Sequence, residues 1–256
     1  MRAILGQLKA TLLQLFPTMK FRIILIVLVL TAAFISVSEL AVAKLFTQII
    51  LHEGELSKTK MAIYVLAFFL FFGGTRAGHY FQRIYRINVF DRVFQASETK
   101  VHRSKENWRW SLAFELTSLL SIITQLGVII LFSTFLNWKF GLLNIFVVAV
   151  IFQILGRIFR KQLKSQRGFV KAKEKKIHVP NSDKIRTRIK SGETGVLLSG
   201  LAMLVLFAAL IILSYTGEIS PSNTIVLFFG LRMQNSSLSN ISSSLMRFAR
   251  ARTHSE

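Results

Sequence analysis

Several runs of apolar residues, each long enough to cross a bilayer, constrain this chain of 256 residues more than any other feature. A helix needs about 20 apolar residues to cross roughly 30 Å of hydrocarbon. A soluble domain of this length would not carry several such runs. The sequence therefore predicts an all-α integral membrane protein.

The apolar runs predict six transmembrane helices. They cover about residues 21–51, 61–81, 111–136, 142–159 and 195–215, and the sixth begins near residue 224. The five-residue stretch NWKFG predicts a tight turn between the third and fourth helices. Between the fourth and fifth, Pro180 and Asn181 predict a helix–turn–helix reversal.

Lysine and arginine residues are distributed unevenly among the connections. Four lie before or at the start of the first span, seven lie between residues 83 and 109, and thirteen between residues 157 and 190. The other three connections hold two, one and none. Because basic connections stay in the cytoplasm, both termini and the segments 83–110 and 160–192 are predicted to be cytoplasmic.

Most of the lysine and arginine residues that give the chain its formal net charge of +21 would then face membrane lipids and cytoplasmic partners. No nucleic-acid recognition motif accompanies the charge, so nucleic acid is not an expected partner.

The first 20 residues predict a separate amphipathic helix. Its apolar face is formed by Ile4, Leu5, Leu8, Leu12, Leu15 and Phe16. Pro17 ends this pattern before the first span. The segment is typical of an interfacial helix on the cytoplasmic membrane surface. A signal peptide is the alternative, but the following apolar run is too long and lacks a small-residue cleavage site.

The sixth span is unusually polar. Arg232 lies about 14 Å from Asn223 along a helix, close to the expected bilayer midplane. Polar groups at that depth face water or a partner helix. We therefore predict a substrate cavity open to the cytoplasm, with contacts between helices as the alternative. The candidate cavity residues are Arg232, Gln234, Asn235, Ser236 and Ser239, together with Gln125 and Gln153 from the third and fourth spans.

Catalytic and metal-binding patterns are missing from the sequence. The chain has no cysteine, which excludes disulfides and thiolate chemistry. GGTRAGHY has the glycines but neither the lysine nor the preceding strand of a phosphate-binding loop. We therefore expect no enzymatic activity in this chain itself.

Four stretches, in this order, resemble the transmembrane domain of an ABC exporter of the six-helix, domain-swapped type. LKATLLQLFPTMKFRIILIVLVL resembles the elbow helix and the entry into the first span. FLNWKFGLLNIF resembles the external turn between the third and fourth spans. YTGEISPSNTIVLFFGLRMQ resembles the turn before the last span, and LMRFARARTHSE resembles the segment that leads into the nucleotide-binding domain.

The resemblance implies an ABC exporter fold whose ATP and Mg²⁺ are bound by a separate nucleotide-binding subunit. It implies pairing with a second six-helix subunit, identical or different, by exchange of the fourth and fifth spans. It also implies a bacterial inner (plasma) membrane location. The residues that it implies for coupling to the ATPase are Glu98, Lys100, Arg103, Pro180, Asn181, Asp183 and Arg186.

The expected function is therefore the membrane subunit of an ATP-driven exporter or flippase for a polar or amphiphilic substrate, such as a lipid or peptide. The two cytoplasmic segments are shorter than is usual in the family. This departure keeps open an alternative, a degenerate exporter-like subunit that serves as an accessory or assembly protein.

Overall fold

A computed structural model of the protein describes residues 2–51, 57–95 and 103–255. This part of the chain forms seven helices. In chain order they are α1 (Arg2–Leu15), α2 (Met19–Leu51), α3 (Lys58–Gln95), α4 (Arg103–Leu136), α5 (Trp138–Glu174), α6 (Asn181–Tyr215) and α7 (Pro221–Ser255).

Five of these helices are long and apolar enough to cross a membrane: α2, α3, residues 106–136 of α4, residues 138–172 of α5, and α6. The described chain is thus all-α and has the helices of a multi-pass membrane protein, as predicted. The predicted sixth span coincides with α7. This helix is not among the five, because polar residues interrupt its apolar sequence.

The connection between α4 and α5 is a single residue, Asn137. Its side-chain Oδ1 accepts a hydrogen bond of 2.9 Å from the backbone N–H of Phe140, which makes Asn137 the N-cap of α5. A Cβ atom at Gly141 would overlap the backbone of Thr134. Glycine at this position therefore lets α5 start directly against the end of α4.

Helix α6 ends in a Schellman motif at Gly217, whose φ of 73° suits glycine. The backbone N–H of Glu218 donates to the carbonyl of Leu213 at 3.0 Å, and that of Gly217 to the carbonyl of Ser214 at 3.1 Å. Pro221 then occupies the first position of α7, where a missing N–H costs nothing. The turn places α6 and α7 side by side.

Helix α7 is the centre of the bundle, although it is the most polar of the long helices. It packs against α2, α4, α5 and α6. Its apolar stripe is fully buried and consists of Leu231, Leu238, Ile241, Leu245 and Phe248. The spacing of this stripe keeps it on one side of α7. The remaining polar positions of α7 are therefore distributed between the helix contacts and an open face.

Helix α3 lies at the edge of the bundle and packs chiefly along α2. Only 6% of its most apolar 18-residue window is buried. Helix α1 packs against α4 and α5. Its Ile4 and Leu5 line an apolar cavity of about 260 Å³ together with Leu126 of α4 and Phe152 of α5. The N-terminal end of α1 thus reaches residues in the middle of both helices.

Helices α5 and α6 pack against each other and against α7 of the same chain. The exchange of these two spans with a second subunit stays an expectation from the resemblance. Much of the predicted cytoplasmic segments, 83–110 and 160–192, is helical. Helix α3 continues to Gln95, and α5 continues to Glu174.

Candidate functional site

The buried polar groups of α7 begin with an amide pair. Gln234 and Asn144 of α5 are fully buried and exchange two hydrogen bonds, of 2.9 and 2.6 Å. Each amide donates its NH₂ to the carbonyl oxygen of the other. This reciprocal pairing satisfies two groups that would otherwise be costly in an apolar interior. It joins α5 to α7 at a defined rotation of each helix.

Small residues join α6 to α7. The hydroxyl oxygens of Ser199 and Ser239 lie 3.1 Å apart, and the Ser242 hydroxyl donates to the carbonyl of Gly192 at 3.0 Å. A Cβ atom at Gly195 would overlap the Ser242 side chain. The close approach of the two backbones therefore depends on glycine at this point, as is typical of helix contacts in membranes.

An ion pair joins α4 to α7. Arg247 donates from Nε to Oε1 of Glu115 at 2.6 Å and from Nη2 to the hydroxyl of Ser244 at 2.8 Å. The side chain of Glu115 is only 15% exposed, whereas that of Arg247 is 55% exposed. The second carboxylate oxygen of Glu115 is buried and has no hydrogen-bond partner among the described residues. The pair thus lies at the boundary between the bundle interior and its surroundings.

One face of α7 is open and polar in its central part. Arg232, Ser236 and Asn240 follow at intervals of four residues, and all three are exposed. Arg232 makes no hydrogen bond or ion pair with any residue that the structure describes. Towards the N-terminus of α7 the open positions are instead apolar, with Phe228 and Phe229 exposed. The open face therefore changes from apolar to polar along the helix.

The predicted cavity residues are divided by this arrangement. Arg232 and Ser236 lie on the open face, whereas Gln234 is fully buried against α5. Ser239 is partly buried and contacts Ser199. Asn235 is partly buried, and its Oδ1 has no partner among the described residues.

The two candidates outside α7 are not brought together with its open face by any described contact. Gln125 is partly buried on α4. Gln153 is exposed on α5 and lies nine residues, or about two and a half turns, after Asn144. It therefore points away from the side of α5 that contacts α7. Sequence patterns had not singled out Asn144, whose only signal is a lone amide in an apolar run.

The predicted coupling residues are partly within the described chain. Pro180, Asn181, Asp183 and Arg186 are exposed at the connection between α5 and α6 and on the first turns of α6. Glu98 and Lys100 lie outside the described residues. Arg103 is the first residue of α4, and its side chain also lies outside the description. The exposed group is placed where another chain can reach it.

At the opposite end of the bundle, the two tight turns contact each other. Lys139 Nζ lies 2.8 Å from Oε2 of Glu218, and Asn137 Nδ2 donates to the Glu218 carbonyl at 3.4 Å. These residues belong to two of the stretches on which the resemblance depends. Their contact closes this end of the bundle between α4, α5 and the turn before α7.

Helix α2 contributes to the same end of the bundle. Lys44 Nζ donates to Asn223 Oδ1 at 2.6 Å and to the hydroxyl of Ser222 at 3.2 Å. The Ser222 hydroxyl in turn donates to Oγ1 of Thr47 at 3.2 Å. A lysine from α2 is therefore held by the first turn of α7, and this contact ties the two helices together.

No group of three or more His, Asp or Glu side chains in the described part of the chain is placed to hold a metal ion. No protein-family model matches the sequence, and no curated protein is significantly similar to it. The choice of a function therefore depends on the polar helix and its surroundings.

Proposed function

We propose that this protein is the membrane-spanning subunit of an ATP-driven exporter or flippase of the ABC type. In this proposal, α2 to α7 form six spans, and α1 is the elbow helix, whose C-terminal part lies on the cytoplasmic side near Arg252 while its N-terminal end packs against α4 and α5. The alternation of basic and nearly uncharged connections supports cytoplasmic termini and cytoplasmic ends for α3 and α5. The length of α7, 35 residues like that of α6, supports its inclusion as the sixth span.

The observation that carries the proposal is the open polar face of α7. A helix at the centre of an apolar bundle exposes Arg232, Ser236 and Asn240 on one side. A surface of lipid tails would leave these groups unsatisfied, so the face needs water, a substrate or a second subunit. A translocation cavity between two such subunits supplies all three.

In the proposed mechanism, ATP hydrolysis takes place in a partner subunit and not in this chain. A separate nucleotide-binding subunit binds ATP and Mg²⁺ and contacts the connection around Pro180 and Asp183. Closure of two such subunits moves α5 and α6 and changes the access of the cavity from one side of the membrane to the other. The energy comes from the different affinity of ATP for the two states. Arg232 favours a substrate with an anionic or strongly polar group, such as an amphiphilic lipid or peptide.

Cysteine labelling tests whether the open face is wet. The protein has no cysteine, so single substitutions can be read without background. Ser236→Cys and Asn240→Cys should react with a membrane-impermeant maleimide applied from the cytoplasmic side. Val150→Cys is a matched control, because Val150 is also exposed in the structure but has exposed apolar neighbours on α5 such as Phe146. If the maleimide leaves all three cysteines unmodified to the same degree, the cavity is not filled with water.

Transport assays test the role of the arginine. Arg232→Gln should reduce substrate-stimulated transport in proteoliposomes reconstituted with the co-purified ATPase. Arg76→Gln is the matched control, because Arg76 is an exposed arginine of α3 that lies over the Phe72 ring. Unchanged transport by the Arg232 variant would reject its role in substrate binding.

One observation favours the alternative, an accessory or assembly protein that retains exporter-like helices. Several buried polar groups of α7 are satisfied within this chain, by Asn144, Ser199 and Gly192. Such internal satisfaction is typical of a static bundle. Purification in mild detergent separates the two proposals. A co-purifying ATPase with vanadate-sensitive hydrolysis supports transport, and recovery without any ATPase in several detergents supports the accessory role.

A further inference from the structure

A second polar feature lies away from the open face of α7, between the ends of three helices. It is a partly open cavity of about 530 Å³ between the C-terminal part of α5, the first turns of α6 and the end of α7. Its lining includes the basic side chains of Lys184, Arg188 and Arg250, the amides of Gln166 and Asn181, and several apolar side chains. The volume lies within the range of small-molecule sites, about 300–1,000 Å³.

The charge of this cavity is one-sided. Lys184, Arg188 and Arg250 converge on it from α6 and α7, and none of its described lining residues is acidic. Lys184 and Arg188 make no ion pair or side-chain hydrogen bond with any residue that the structure describes. Arg250 lies over the Trp108 ring, 5.3 Å from its centroid, which holds the guanidinium at the end of α7. Three cations thus share one partly open cavity without a described counter-charge.

A buried polar side chain also faces this cavity. Gln166 is only 6% exposed, yet its amide forms no hydrogen bond with the described part of the chain. The amide is not among the fully buried atoms that lack a partner, so it reaches the cavity, where it is free to bond water or a ligand. A neutral donor beside three cations is suited to an oxyanion, which accepts several hydrogen bonds at once.

We propose that this cavity binds the phosphate group of an anionic ligand, with Lys184, Arg188 and Arg250 as the charged donors and Gln166 as the neutral donor. The apolar side chains of Phe169, Val170 and Ile185 contact the remainder of that ligand. Arginine and lysine are the usual partners of phosphate in proteins. This site goes beyond the proposed transport cycle: it shares Asn181 with the predicted coupling residues, whereas the exposed Asp183 and Arg186 lie on the opposite side of α6.

The position of the cavity permits two sources of phosphate. Arg188 lies seven residues, about 10 Å, before Gly195, where the apolar part of α6 begins. The cavity therefore lies just outside the hydrocarbon, within reach of lipid headgroups and of solutes. Anionic lipids and soluble phosphate esters offer the same chemistry there.

Binding to the detergent-solubilised full chain tests this site with two probes. Phosphatidylglycerol in mixed micelles is followed by native mass spectrometry, with phosphatidylcholine as the comparison lipid. Glycerol 3-phosphate is followed by the rise in Tm at constant ionic strength. Binding of phosphatidylglycerol alone assigns a lipid ligand, and binding of glycerol 3-phosphate assigns a soluble one. The absence of binding of both probes overturns the proposal.

Matched charge variants separate the cavity from diffuse attraction. Lys184→Gln with Arg188→Gln should weaken binding by about tenfold or more, because hydrogen bonds to charged groups are lost. Lys175→Gln with Lys190→Gln removes the same charge from exposed positions outside the lining and should change affinity by less than about threefold. Equal weakening by both double variants overturns the proposal.

A substitution that does not change the charge controls for general effects of charge or of folding on ligand binding. Gln166→Leu leaves the net charge unchanged and should weaken binding several-fold while the ligand-free Tm stays about the same, since the Gln166 amide has no partner in the described chain to lose. Unchanged affinity of this variant, with the native elution volume and helicity retained, would contradict the assignment of Gln166 as a donor in a built site.

Discussion

Gln234 of α7 and Asn144 of α5 form two reciprocal hydrogen bonds in a fully buried contact. Because each amide satisfies the other, the loss of one partner strands a buried polar group on the other helix. This relationship links the central helix of the bundle to a neighbour that sequence patterns had not connected with it.

Substitution of Gln234 by Leu should lower the free energy of unfolding by about 1–3 kcal/mol, and Asn144→Leu should do the same. The double variant should cost less than the sum of the two, because no amide is then stranded. Unfolding by SDS in mixed micelles measures all three. Gln153→Leu, an exposed amide on the same helix, serves as the control and should change the free energy of unfolding by less than about 0.5 kcal/mol. Additive effects of the two buried substitutions would contradict the pairing.

Two glycines of α6 should respond in opposite ways to alanine. A Cβ at Gly195 would overlap Ser242, whereas a Cβ at Gly200 meets no atom within 4 Å. Gly195→Ala should therefore destabilise the protein by about 1–3 kcal/mol through overpacking. Gly200→Ala should be neutral or stabilising by up to about 1 kcal/mol, because alanine is the better helix former.

Thermal unfolding in detergent compares the two glycine variants. Ser242→Gly, which removes the opposing side chain, should restore much of the stability lost in Gly195→Ala. A Gly195→Ala variant as stable as Gly200→Ala would show that α6 and α7 do not approach as closely as described.

One ion pair joins α4 to α7, and another joins α5 to the turn before α7. We expect the two pairs to contribute differently to the free energy of unfolding. Glu115 is 15% exposed beside Arg247, whereas Glu218 is 39% exposed beside Lys139. Arg247→Gln should lower the free energy of unfolding by about 1–3 kcal/mol, since the partly buried carboxylate of Glu115 then loses its compensating charge. Glu218→Gln should cost about 0–1 kcal/mol and become neutral at high salt. Equal losses at both positions would mean that burial does not govern these pairs.

A disulfide between α2 and α7 should test whether the closed end of the bundle opens during transport. The hydroxyl oxygens of Thr47 and Ser222 lie 3.2 Å apart, so cysteines at both positions are close enough to bridge. Thr47→Cys with Ser222→Cys should cross-link under mild oxidation and block transport until a reductant is added. Each single cysteine variant controls for the substitution itself. Full transport by the cross-linked protein would contradict an opening between these two helices.

Much of the helical architecture follows from local chemistry. The apolar runs predict helices because only a helix satisfies its own backbone in hydrocarbon. Pro17, Pro180 and Pro221 lie at or next to helix boundaries, where a missing N–H is tolerated. Gly217 permits the turn before α7 through its positive φ. These signals are carried by a few neighbouring residues, so they can be read without knowledge of the tertiary structure.

The candidate site was less predictable. The polar residues of α7 were evident from the sequence, but their division into an open face and buried contacts was not. Gln234 and Arg232 are two residues apart, and one is fully buried while the other is exposed. Periodicity relates the faces of one helix to each other, but it does not say which neighbour covers each face.

By itself, the sequence determined that this protein is helical and carries several helices apolar enough for a membrane, six by prediction where the structure has five. It also located the short connections between α4 and α5 and between α6 and α7. The tertiary structure decided that the most polar helix lies at the centre, that Asn144 rather than Gln153 faces it, and that three cations share one cavity. The physical reason is the distance along the chain over which each kind of interaction acts. Backbone hydrogen bonds and capping act within a few residues, whereas the rotation of each helix is chosen by packing against partners far away in the chain.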